Sequence, residues 1–154
     1  MAKNDSVQND EELYRSVRGK LEAKEYSFDR GRLIILPAAF RDRYKKPSVD
    51  RAKLREFTPS LSKLNETDGI VSIMANDVRS IGEVKTKVQN DDIIAHAVDI
   101  IPDPTPENPA HSQIVVNPEF FGSKNKQRNA FKLLQIALAT LATQNGWTLE
   151  PNIQ

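Results

Sequence analysis

Apolar positions recur along this chain at two spacings, and the clearest run comes last. Between Lys124 and Asn145 a run of them falls at 130, 131, 133, 134, 137, 138, 141 and 142. That is one face of an α-helix. Gly146 stands where a helix commonly ends, and Trp147 with Leu149 is expected to fold back on the core.

Earlier segments change period. Ile70-Val71-Ser72-Ile73-Met74-Ala75 is a short apolar run after the turn residues Asp68-Gly69, which predicts a strand. Val84 to Val88 alternates apolar and charged residues, the pattern of a half-exposed strand. Ile93 to Ile101 and Ala110 to Val116 are rich in β-branched residues and predict two more. Asp29-Arg30-Gly31 is a turn, and Arg32 to Leu36 is a strand ended by Pro37.

Helical signals are weaker in the first half. Asp10 with Glu11 and Glu12, followed by Leu13, Tyr14, Val17 and Leu21, reads as a capped helix; a strand through Leu13–Val17 is the alternative. Pro37 suits the first position of a short helix from Ala38 to Tyr44. Ser48 reads as the N-cap of a second through Leu54, and a third helical turn follows Thr58-Pro59-Ser60. Asn76-Asp77 reads as a turn. Residues 1–9 are polar and aperiodic, which predicts a disordered tail.

Together these elements predict one α+β domain over residues 10–154. Its small antiparallel or mixed sheet, within about residues 32–116, is packed by the long helix at about 124–145. The 154 residues match the size of one domain with a core of its own.

Composition removes several kinds of chemistry. There is no cysteine, hence no disulfide framework, thiol nucleophile or thiolate metal site. No Gly-rich phosphate loop, His-x-x-x-His pair, Gly-x-Ser-x-Gly elbow or Asp-x-Asp motif occurs, so neither metal nor cofactor is expected. Met1 to Ser6 holds no apolar run of the kind a signal segment needs, and Ala130 to Ala142 is too short and polar to span a bilayer. The expected setting is the cytoplasm, away from membranes.

Charge is uneven. Residues 1–57 carry 14 Lys and Arg against 10 Asp and Glu, a net of +4, whereas residues 58–154 carry 8 against 11, a net of −3. The densest basic stretch runs from Arg30 to Arg55 through Arg32, Arg41, Arg43, Lys45, Lys46 and Arg51. Guanidinium forks suit phosphates, so a nucleotide or nucleic acid is a candidate partner there. Interleaved Asp42, Asp50 and Glu56 fit an ordinary solvated face equally well. Arg15 and Arg79 lie in or near apolar stretches and need partners, Asp99 or Asp77 among them.

The two histidines, His96 and His111, fall in neighbouring expected strands; register decides whether they share a face. His111 follows a stiff segment, Pro102 to Pro109, with four prolines in eight residues. A rigid loop delivering a histidine to a strand end is a common way to present a reactive group, with Ser48 and Arg51 as companions. The candidate catalytic residues are His111, Ser48 and Arg51; the candidate ligand contacts are Arg15, Arg43, Arg51 and His111. The pre-extended proline segment also suits docking of a protein partner, or serves as a rigid connection.

Three stretches, Leu13-Tyr14-Arg15, Pro47-Ser48-Val49-Asp50-Arg51-Ala52 and Asn108-Pro109-Ala110-His111-Ser112-Gln113-Ile114, resemble a set of small uncharacterised bacterial proteins with the same order of motifs. That resemblance spans about residues 13–116 and implies no activity. Tyr-Arg with a later Ser is also similar to ADP-ribosyltransferase-like toxins, but their catalytic Glu motif has no match. The functional expectation is a small accessory module acting through a macromolecular partner, with a small enzyme or phosphate-binding protein as the alternative.

Overall fold

The computed structural model describes residues 5–87 and 92–152. Its strands are β1 (Glu12–Val17), β2 (Tyr26–Asp29), β3 (Arg32–Ile35), β4 (Ser48–Arg51), β5 (Gly69–Met74), β6 (Glu83–Lys87), β7 (Ile93–Pro102), β8 (His111–Asn117) and β9 (Trp147–Leu149). The α-helices are α1 (Ala75–Ser80) and α2 (Lys124–Asn145). Seven strands form one antiparallel sheet in the order β6-β7-β8-β4-β1-β5-β9, while β2 and β3 pair as a separate hairpin. The chain is therefore α+β, with α2 against a sheet as expected.

Helix α2 begins at Ser123, whose hydroxyl accepts from the Lys126 N–H, and ends at Gly146 with a positive φ of 72°. Its Leu134 and Leu138 are fully buried, and Phe131 and Ala142 lie beside them. They pack on Leu13, Val71, Ile73, Ile100 and Ile114 from the sheet. A smaller apolar group, Tyr14, Ala52 and Ile70 with Leu149, lies on the opposite face.

Several sequence expectations are corrected. The segment expected as a helix from Asp10 is the interior strand β1, held between β4 and β5. Being covered on both faces, it lacks alternation; Leu13, Tyr14 and Val17 are all buried. Ser48 caps no helix: residues 48–51 are strand β4, followed by a single 3-10 turn, Ala52–Arg55. Asn76-Asp77 lies inside α1. The helix expected over 38–44 is one 3-10 turn, Pro37–Phe40, and another covers Pro59–Ser62. The strand at Arg32 pairs with β2 outside the main sheet, whereas β1 and β9 extend that sheet beyond residues 32–116. Val88, the expected end of the sixth strand, lies outside the described residues, as do residues 1–4 of the expected tail. Within 5–9, Val7 is buried and the Asp5 carbonyl receives Arg51.

Candidate functional site

Strands β8, β4 and β1 are neighbours, so the three stretches named above lie side by side. Asp50 stands opposite both Tyr14 on β1 and His111 on β8. Side chains at alternate positions share a face, which puts Tyr14, Ser16, Ser48, Asp50 and His111 on the side away from α2. The cleft over this row has a volume of about 400 Å³, and Arg15, Arg55, Leu61, Ser62 and Asn108 are among the residues of its walls.

The central contact is diagonal. His111 Nε2 lies 2.9 Å from Ser48 Oγ. On the other side of the ring, Nδ1 lies 2.9 Å from the Asp103 carbonyl oxygen and 3.1 Å from Asp103 Oδ2. Neither of those oxygens can donate, so in neutral His111 the proton sits on Nδ1. Nε2 is then an acceptor, and the Ser48 hydroxyl donates to it. The order Ser48–His111–Asp103 is that of a hydroxyl nucleophile, a base and the group that orients the base.

The proline segment frames this relay. The Asp103 N–H donates to the His111 carbonyl at 2.9 Å, and the Thr105 and Asn108 backbones exchange hydrogen bonds. Asn108 Oδ1 accepts from the Ala110 N–H, and its Nδ2 donates to Asp50 Oδ1 at 2.9 Å. Asp50 Oδ2 takes the Ser62 hydroxyl at 2.6 Å and Arg55 Nε at 3.2 Å. Asp50 is thus a buried carboxylate with both oxygens occupied, clamping the proline loop and the 59–62 turn onto β4.

Of the other candidates Arg15 stays with this pair, lining the same cleft, whereas Arg51 and Arg43 lie apart from it. Arg51 is fully buried on the α2 side, where Nε and Nη2 hold the two Glu11 oxygens at 2.7 and 2.8 Å. Arg15 donates from all three guanidinium nitrogens to the carbonyls of Ala39, Ser48 and Arg41. Burial lowers its pKa, though a guanidinium stays charged. Arg43 lies over the Tyr44 ring, in a separate depression with Lys45, Lys46 and Glu119. Arg79 meets Asp99 at 2.8 Å. His96 shares no face with His111: it is buried on the α2 side, toward the far end of β7.

Sequence reasoning found Ser48 and His111 but passed over Asp103, Asp50, Asn108 and Ser62. The signal for Asp103 was available, since a loop that returns on itself before His111 brings its first residues back to the histidine. Among the described residues no group of three or more His, Asp or Glu is arranged to hold a metal ion, and no helix is long and apolar enough to cross a membrane. No protein-family model matches the chain, and no curated protein or solved structure matches it.

Proposed function

We propose that this chain is a small serine-dependent acyl-transfer enzyme, with Ser48 as nucleophile in the cleft over β1, β4 and β8. One observation carries the reading: Ser48, His111 and Asp103 form a continuous relay at 2.9 and 3.1 Å that ends on a hydroxyl lining a cleft. In the proposed reaction Ser48 Oγ attacks a carbonyl carbon while His111 Nε2 takes the hydroxyl proton. The carbonyl π pair moves to oxygen, and collapse of the tetrahedral species expels the leaving group with the proton from Nε2. Water, deprotonated by the same nitrogen, then releases the acyl group from Ser48. Arg55 and Lys63 line the cleft and supply positive field for the developing oxyanion. Leu61 and Leu64 form an apolar rim for the substrate's body.

A fluorophosphonate probe followed by peptide mass spectrometry tests this directly. Label is expected on Ser48 in the wild type and lost in Ser48→Ala and His111→Ala. Label elsewhere, or equal labelling of His111→Ala, overturns the reading.

A second reading, binding of a phosphate-bearing partner, has its own support. Lys124 and Arg128 of α2 join Lys45 around one shallow depression, and Arg43 and Lys46 line the next, beside an exposed Tyr44. Arg43, Lys45 and Lys46 belong to the Arg30–Arg55 region, to which α2 adds Lys124 and Arg128; Arg51 is buried and takes no part. Affinity for a single-stranded oligonucleotide that falls steeply with salt, and falls again in Arg43→Glu/Arg128→Glu, would favour it.

A further inference from the structure

A second cleft, of about 760 Å³, lies on the other side of the sheet. One wall is β6, an edge strand of the sheet. The opposite wall is the N-terminal half of α2, and the segment after β8 closes one end. Its volume falls in the range of roughly 300–1,000 Å³ usual for small-molecule sites.

Its floor is apolar and aromatic. The Phe120 and Phe121 rings lie 4.8 and 6.1 Å from the ring of His96. Ala130 and Leu133 of α2 face them. Phe121 and Leu133 are each 50% exposed, an apolar area that a soluble surface does not leave open without cost. His96 is held rigidly below: Nδ1 donates to the Pro118 carbonyl, so Nε2 accepts from the Thr86 hydroxyl at 2.8 Å. Among the described residues, Lys85, Lys87 and Lys126 line the rim together with the carboxylate Asp92.

We propose that this cleft binds an anionic amphiphile, a carboxylate or sulfonate head on an apolar body of drug-like size. The body rests on Phe120, Phe121 and Leu133, and the head meets the lysines at the mouth. The two parts are separable. Apolar contact accounts for affinity through area removed from water, and the lysine rim selects for negative charge. The site is independent of Ser48, which lies on the opposite face of the sheet.

The experiment titrates the full chain with 8-anilinonaphthalene-1-sulfonate, followed by fluorescence, with decanoate as competitor and uncharged N-phenyl-1-naphthylamine as the neutral control. Saturable binding displaced by decanoate is expected. Leu133→Glu, at an exposed helix position, should weaken the sulfonate about tenfold or more, and Lys85→Glu/Lys126→Glu should do likewise while leaving the neutral control within about twofold. Lys132→Glu, on the same helix but outside the cleft, and Ser48→Ala should change neither. Circular dichroism confirms that each variant is folded. Failure of the wild type to saturate, or indifference to Leu133→Glu, overturns the site. A lysine double variant that loses both probes equally, or neither, overturns the selection for an anion.

Discussion

At the scale of single residues, this sheet buries polar groups with and without partners, and the two kinds should respond oppositely to substitution. Ser112 is fully buried, and its hydroxyl is the one buried side-chain oxygen or nitrogen among the described residues that lacks a hydrogen-bond partner. Such a group costs about 1–3 kcal/mol in lost solvation. Ser112→Ala should therefore leave stability unchanged or raise it by up to about 1 kcal/mol in urea unfolding; a loss larger than that would reveal a partner. His111 is the opposite case. Both ring nitrogens are engaged, yet its side chain is 20% exposed and lies off the main core. His111→Ala should cost only about 1 kcal/mol while abolishing probe labelling of Ser48. If the variant unfolds, the histidine is a structural core residue and the relay has been misassigned.

At the scale of elements, α2 is the part of the fold that its own sequence determines most fully. Leu138 is fully buried against the sheet, so Leu138→Ala should cost about 2–5 kcal/mol in chemical denaturation. A loss below about 1 kcal/mol would show that the stripe is not core. The stripe was legible because one face of α2 meets the core and the other meets water, which writes a helical period into the sequence. No such contrast exists for β1 and β4. Both are interior strands, and they carry Arg15, Asp50 and Arg51 where a hydropathy pattern expects aliphatic residues. The two arginines are satisfied by groups distant in sequence, the Ala39 carbonyl for Arg15 and the Glu11 carboxylate for Arg51, and Asp50 by Arg55, Ser62 and Asn108; apart from Arg55, no local window contains the compensation. The same reason divides the candidate site. Ser48 and His111 could be chosen by residue type, but their meeting depends on the β4–β8 register, and Arg51 was lost because one step along a strand reverses the face.

At the scale of the molecule, the sheet lies between two clefts and its centre is fastened by an ion pair as well as by apolar contacts. Arg51 on β4 reaches across to Glu11 ahead of β1 and to the carbonyls of Asp5 and Ser6, tying the start of the described chain to the middle of the sheet. For Glu11, burial by itself would raise the carboxyl pKa. The hydrogen bonds from Arg51 and the Gln8 N–H, with the charges of Arg51 and Lys53, outweigh it, and the net direction is down. A carboxyl whose folded pKa is depressed contributes stability that is present in full above the unfolded value, roughly 4.3 for glutamate, and is lost as pH falls through the folded value. Glu11→Gln removes that contribution at every pH and leaves a buried guanidinium short of its counter-charge, at a cost of about 3–5 kcal/mol near neutrality. The gap in unfolding free energy between wild type and Glu11→Gln should thus be widest near pH 7 and hold down to about pH 5. It should narrow below roughly pH 4 as the wild type takes up the proton that the variant cannot. Urea titrations of both proteins between those limits measure it. A gap that stays constant through the acid range would mean that Glu11 binds Arg51 as a neutral acid.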